Sequence, residues 1–190
     1  MIKATAKDKA FIINLLAACF ADNKSVNYIM APNGNKQQRI KSLMDYSFEV
    51  CHRFGEVFLN DERTACALIL YLDKKKNDFA TLSKDIKLVL TYIGIGNINK
   101  AIKREAAVNA LYPHKNIFYL WYIAVDTTQQ QKGIGTAFLQ EIMQYANTLN
   151  KDIYLETSTA QNIDWYTKMG FELYKELDLT YTLSCFRKQQ

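Results

Sequence analysis

The stretch QQQKGIGTAFLQEIMQYA, Gln129 to Ala146, sets three glutamines, a lysine and two closely spaced glycines in front of an apolar run with helical spacing. Glycine is a poor helix former, yet two of them stand where a helix should begin. Either the chain turns tightly there, or something must approach its backbone without β-carbons in the way. Upstream, IFYLWYIAV, Ile117 to Val125, is rich in aromatic and β-branched residues and reads as a buried strand. Downstream, Phe138 or Leu139, Ile142, Met143, Ala146 and Leu149 mark one helical face. In the order strand, glycine turn, helix, the first helical N–H groups are left unpaired at the positive end of the helix dipole, which suits a pyrophosphate.

The glycines alone decide nothing, because a second GIG at Gly94 to Gly96 follows no strand and is explained by a helix C-cap and a turn. Two phosphate fingerprints are excluded for the Gln129 stretch. A P-loop needs G-x-x-x-x-G-K-[ST], but Ala137 and Phe138 follow Gly133 at the wrong positions, and Phe138 stands where a dinucleotide fold wants glycine or alanine.

The chain has 190 residues, 49% of them hydrophobic and 23% charged, which fits one well-filled domain and no disordered or fibrous class. Its net charge of +5 is spread along the chain, so it suits an anionic small ligand as well as a nucleic acid and selects neither. Lys74 to Lys76 reads as an exposed loop. Cys19, Cys51, Cys66 and Cys185 lack C-x-x-C spacing, and with only His52 and His114 beside them no zinc site emerges. Such cysteine usage fits a reduced, cytoplasmic protein. Leu16 to Cys19 resembles a lipoprotein cleavage box, but Asn14 interrupts the apolar segment and Asp8 spoils its basic flank; Phe11, Leu15 and Ala18 or Cys19 instead suit an amphipathic first helix. No run approaches a membrane span.

Along the rest of the chain we expect a short strand at residues 2–4, helices over about 8–20 and 36–52, and a loop between them. A strand hairpin follows over 55–72. Helical signal runs from Phe79 to Leu111, with strands at 153–158, 171–177 and 179–186 and a helix at 161–169. This mixture indicates an α/β sheet domain.

Gln130-Gln131-Lys132-Gly133-Ile134-Gly135 matches Q/R-x-x-G-x-G/A, and YLETSTAQNIDWYTKMGFELYKE follows at a fixed distance with Asn162 four residues before Tyr166. Together these motifs, over residues 117 to about 176, resemble the GNAT acetyltransferase superfamily. The resemblance implies a single-domain α/β fold with a mixed, mostly antiparallel sheet flanked by helices and splayed fourth and fifth strands. It implies an acceptor side and first strands in residues 1–115, an acetyl-CoA core in 116–176 and a closing strand in 177–190. In that family backbone groups of Ile123, Ala124 and Val125 would hold the pantetheine arm. Amides of Gln130, Gln131, Lys132, Gly133, Ile134, Gly135 and Thr136 would hold the pyrophosphate. Tyr166 would protonate the departing thiolate, and Asn162, one helical turn earlier, would bond the pantetheine or a water. Trp165 is assigned to the core. The fourth strand carries no acid, so the base is left open among Glu156, His114, a water relay and an amine arriving neutral. The implied activity is direct acetyl transfer from acetyl-CoA to a primary amine of a small molecule or peptide, by a monomer or homodimer with no metal, nucleic acid or membrane. A CoA-binding regulatory module and an unrelated nucleotide-phosphate binder are the competing readings. The acceptor pocket is expected from Asn23 to Asn35 and its flanking helices, with Tyr28, Tyr46 and Phe48 as aromatic candidates.

Overall fold

The computed structural model describes residues 1–74, 79–113 and 116–190, with residues 79–81 described by their backbone alone. Seven strands form one sheet in the order β1-β2-β3-β4-β5-β7-β6. They are β1 (Ile2–Lys3), β2 (Gly55–Leu59), β3 (Ala65–Leu70), β4 (Phe118–Val125), β5 (Ile153–Thr157), β6 (Glu172–Asp178) and β7 (Thr182–Lys188). All neighbours are antiparallel except β4 and β5, which run parallel. Seven α-helices accompany them among the described residues: α1 (Lys9–Cys19), α2 (Lys24–Ile29), α3 (Lys36–Phe54), α4 (Phe79–Leu88), α5 (Ile98–Asn109), α6 (Ile134–Thr148) and α7 (Gln161–Lys168). None is long and apolar enough to cross a membrane.

Two cores lie on opposite faces of the sheet. On one, Ile12, Leu15 and Leu16 of α1 and Ile40, Met44, Phe48 and Cys51 of α3 pack against Leu59, Leu68 and Tyr154. On the other, Phe138, Leu139, Ile142 and Ala146 of α6 join Tyr166 of α7 against Ala67, Ile69, Leu120 and Leu155. The α3 and α6 stripes follow the helical spacing in the sequence, except that Leu149, expected on the α6 stripe, caps the end of that helix and is 38% exposed. The α1 stripe does not fall where expected: Phe11 is 40% exposed and Ala18 is exposed, while Ile12, Leu15 and Leu16 are buried. Both sets satisfy helical spacing, and packing against α3 selects the β-branched and leucine one. Gly94 caps its helical segment at a φ of 74°, its N–H donating to the Val89 carbonyl at 2.7 Å, as the C-cap reading predicts.

The expected loop between the first two long helices contains α2. Asn23 caps it by accepting from the Val26 N–H at 3.0 Å, a signal hidden among the turn residues around it. Residues Lys75 and Lys76 of the basic run, and His114, lie outside the described residues.

Strands β4 and β5 part almost at once: only Phe118 with Ile153 and Tyr119 with Tyr154 pair. Beyond that point β4 stays registered with β3 through Val125. The β3–β4 ladder slips between Leu68 and Ile69, whose partners are Tyr122 and Leu120, so Trp121 is an extra, bulged residue. The bulge resets the face pattern. Phe118 and Leu120 join the α6 core and Tyr119 the α1–α3 core, but both Trp121 and Tyr122 turn to the α1–α3 side before alternation resumes at Ile123.

Gly55 begins β2 where a β-carbon would stand 1.9 Å from the Ile69 carbonyl oxygen. Gly55→Ala should therefore lower stability by about 2 kcal/mol or more through forced separation of β2 and β3. Gly96→Ala, where a β-carbon meets nothing within 4 Å, should change it by less than about 0.5 kcal/mol. Urea unfolding of the two variants checks the contrast.

Candidate active site

The gap between β4 and β5 opens into a cleft of about 700 Å³. Its walls come from the end of α1, α2, β4, the Gln129–Thr136 loop, the end of β5 and α7. Of the residues singled out in the sequence, Ile123, Ala124, Val125, Gln130, Gln131, Gly133, Ile134, Gly135, Thr136, Glu156, Asn162 and Tyr166 all line it. Lys132 does not; its ammonium donates to the Gln129 side-chain oxygen at 2.9 Å.

The loop is shaped by its own sequence. Asp126 accepts from the backbone N–H and hydroxyl of Thr128 at 2.8 and 2.7 Å, turning the chain out of β4. Gln130 folds back to donate to the Val125 carbonyl at 3.1 Å. Gln131 and Gly133 have positive φ, 63° and 78°, and Gly133 precedes α6 as its N-cap. A β-carbon on Gly133 would meet nothing within 4 Å, so glycine answers to backbone conformation and to open space above the loop. Gly135 is different: its β-carbon would lie 3.4 Å from Val125 Cγ2 and 3.8 Å from the Trp165 ring. It lets β4, α6 and α7 close together. The first bond inside α6 runs from the Ala137 N–H to the Gly133 carbonyl at 3.0 Å, so the amides of Ile134, Gly135 and Thr136 precede the helical ladder.

On β4, the Asp126 N–H donates to the Thr64 carbonyl of the β3 side at 2.8 Å. Backbone groups alternate along an antiparallel strand, so those of Ala124 also point to β3, while those of Ile123 and Val125 face the gap. The Val125 carbonyl accepts from Gln130 and from the Cys19 thiol, the latter at 3.1 Å. The expected trio thus divides, with Ala124 reaching the cleft only through its side.

Glu156 and Tyr166 approach the gap from opposite faces of the sheet. Along β5, Ile153 and Leu155 join the α6 core and Tyr154 the other, which puts Glu156 on the α1–α3 face. There its two oxygens accept from the hydroxyls of Tyr112 at 2.6 Å and Tyr119 at 2.7 Å. Burial raises its pKa above the ordinary glutamate value, partly offset by those two hydroxyls and the Arg104 charge. Tyr166 comes from α7 on the other face, 4% exposed and packed against Trp165, Phe171 and Phe186. Burial, and then the Glu156 charge, push its phenol far above its ordinary pKa, so it keeps its proton throughout the working range. Asn162 donates to Thr157 at 3.4 Å. Trp165 packs against the core as expected, but it is only half-buried, also lines the cleft and donates through Nε1 to the Thr136 hydroxyl at 3.1 Å, tying α7 to the start of α6.

Sequence reasoning missed the part of the cleft lining that comes from α2 and α5. Arg104 of α5 donates to the Ser25 hydroxyl at 2.7 Å and to the Tyr181 hydroxyl at 3.4 Å, and Tyr181 donates to Ser25 at 3.0 Å. The Ser25 N–H donates to Ser158 at 3.2 Å, anchoring α2 to the end of β5. No local pattern marks these residues, because they meet from four separate segments. Of the expected aromatic candidates, Phe48 is core, Tyr46 donates to Asp85 at 2.7 Å away from the cleft, and Tyr28 packs edge-on against Tyr181. Among the described residues no cluster of His, Cys, Asp and Glu is suited to a metal ion.

Cys19 is half-buried where the other three cysteines are fully buried, and that partial burial, followed by the Asp126 charge, raises its pKa to about 11. Its thiolate fraction at pH 8 is then roughly a hundredfold below that of a free thiol. Iodoacetamide should modify Cys19 correspondingly slowly, the rate rising about tenfold per pH unit toward pH 11. A rate that levels off below pH 9 would contradict this environment.

Residues 90–173 match the family profile of the acetyltransferase (GNAT) domain. Solved structures share the fold across the chain. A protein of Corynebacterium glutamicum described as histone acetyltransferase HPA2 and related acetyltransferase superposes with a TM-score of 0.73 at 17% identity, covering 99% of this chain and 94% of its own. Arylalkylamine N-acetyltransferase 2 of Aedes aegypti gives 0.66 at 14% identity, covering 99% and 97%. An N-acetyltransferase of Staphylococcus aureus gives 0.60 at 13%, covering 98% of each chain. Residues 90–173 are thus similar to the GNAT acetyltransferase domain, and the chain as a whole shares the fold of these solved structures.

Proposed function

We propose that the protein is an acetyl-CoA-dependent N-acetyltransferase that moves the acetyl group directly to a primary amine. The observation that carries this reading is the placement of Glu156 and Tyr166 on opposite faces of one gap, with the glycine turn at its end. The residues present fit the cosubstrate. Gly133 leaves open space above a run of uncommitted helix amides, as a pyrophosphate requires, and Ile123 offers backbone groups along an unzipped strand edge. When bound, acetyl-CoA supplies a thioester activated toward nucleophiles.

The remaining chemistry belongs to side chains of this chain. An ammonium acceptor must lose a proton before its nitrogen can attack, and Glu156 is a carboxylate whose raised pKa makes it a better proton acceptor than an exposed glutamate. The Tyr112 and Tyr119 hydroxyls fix its orientation. As the nitrogen–carbonyl bond forms and the carbon–sulfur bond breaks, the sulfur needs a proton, and Tyr166 holds one in a neutral phenol. The proton taken by Glu156 passes to solvent, and the second proton, shed by the nitrogen as it becomes an amide, restores the Tyr166 phenol by way of solvent. Trp165 and Gly135 set the distance between α7 and β4 that brings Tyr166 to the gap.

On this reading residues 1–115 supply most of the acceptor side, 116–176 the cosubstrate core and 177–190 the closing strand, with Leu183 lining the cleft from that last segment. Four free cysteines favour a reducing compartment such as the cytoplasm.

Acetyl-CoA should raise the melting temperature where ATP and NAD do not, and an amine panel followed by thiol release should show turnover. Stabilisation by acetyl-CoA without turnover of any amine would favour a CoA-binding regulatory module, and no stabilisation would sink the proposal. Tyr166→Phe should lower kcat by about 10²-fold with little effect on acetyl-CoA affinity. Because protonated Glu156 cannot accept a proton, kcat/KM should fall as pH drops through its raised pKa, and Glu156→Gln should remove that acid limb together with most of the activity. An unchanged pH profile in Glu156→Gln would remove Glu156 from its role.

A further inference from the structure

We propose that the acceptor is a free amino acid, its carboxylate held by Arg104 while its amine is presented to Glu156; this rests on the acetyl-transfer reading of the site. Arg104 and Glu156 line the same cleft. Each is held by hydroxyl groups: Arg104 by Ser25 and Tyr181, Glu156 by Tyr112 and Tyr119. Among the described residues Arg104 forms no ion pair, although the two charges are near enough for each to feel the other.

A partly buried guanidinium that meets only neutral partners has lost hydration without gaining a counter-ion. It also retains donors, since the planar group carries five N–H bonds in a fork that matches a carboxylate. Tyr181 and Ser25 are met by Nε and Nη2, and the Nε contact is long at 3.4 Å. A cation and an anion standing apart in one cleft define the complementary ligand: a zwitterion whose carboxylate meets Arg104 and whose ammonium meets Glu156. A simple amine would leave the guanidinium uncompensated. A ligand with a surplus of negative charge would bring that surplus beside Glu156. The zwitterion also delivers the nucleophilic nitrogen to the carboxylate that must deprotonate it, so recognition and chemistry use the same pair of charges.

The position of Arg104 suits this role. It projects from α5 to bond both α2 and the turn before β7, and Ser25 is common to Arg104, Tyr181 and the backbone link to Ser158 beyond the end of β5. Acceptor recognition would thereby fix α2 against β5 at the edge of the gap.

The test assays each common amino acid against its decarboxylated amine by thiol release from acetyl-CoA, for example tyrosine against tyramine and phenylalanine against phenethylamine. Calorimetry of the same pairs with the CoA-saturated protein gives a readout apart from turnover. The best acceptor should be an amino acid, exceeding its amine by about 10- to 100-fold in kcat/KM, mostly through KM, as loss of one charge-assisted hydrogen-bond pair predicts. Arg104→Gln should bring that ratio toward one, and Arg104→Lys should keep part of it. A best acceptor lacking a carboxylate, or a preference that survives in Arg104→Gln, overturns the inference. Should Arg104→Gln fail to fold, the wild-type ratio and Arg104→Lys decide. Acetyl transfer without a carboxylate preference sinks this inference alone, whereas absence of transfer to every acceptor sinks the reading beneath it as well.

Discussion

The parting of β4 from β5 after two residue pairs is the constraint on which the site depends. A parallel ladder that stops short leaves N–H and C=O groups on its edges, and such groups in a folded interior need partners. The chain answers in part from within. The Val125 carbonyl takes Gln130 and Cys19, and the Tyr119 hydroxyl crosses to Glu156 just where the strands separate. What remains is an edge that a ligand's own amides can complete. The bulge at Trp121 allows this, because β4 can stay paired with β3 while turning its face and bending away from β5.

The two charged or ionisable groups that matter most sit where water is partly excluded, and each is stabilised by hydroxyls rather than by a direct ion pair. That arrangement costs stability relative to an apolar wall. It also leaves Glu156 able to accept a proton and Arg104 able to accept a ligand, which a contact salt bridge between them would prevent. The surface ion pairs elsewhere contrast with it. Lys9 bridges Asp45 and Glu49 at 2.6 and 2.5 Å, and Lys84 also meets Glu49, so those charges are consumed within the chain.

The element order, the α3 and α6 stripes and the glycine turn were legible because each is a local pattern: helical spacing, β-branched runs, or two glycines at a helix start. The motif residues from Gln130 to Tyr166 come together in one cleft because a strand, a turn and a helix fix their separation. Features made by distant segments were not legible. The α1 stripe required knowing which of two acceptable faces meets α3. Trp165 could not be separated from the core by helical angle alone, since its ring packs on the core while its N–H reaches Thr136. The Tyr112–Glu156–Tyr119 group and the Arg104–Ser25–Tyr181 group join segments far apart in the chain, and no spacing rule announces them.

If the open β4 edge and the amides at the start of α6 together receive the cosubstrate, both should respond when it binds. Backbone amide NMR during titration with CoA tests this most directly. The largest shifts should fall on Ile123 and on Gly133 to Thr136, followed by Asn162 and Trp165 across the gap. Largest shifts on the Lys9, Lys84 and Lys87 side of the molecule, with the α6 amides unmoved, would contradict this.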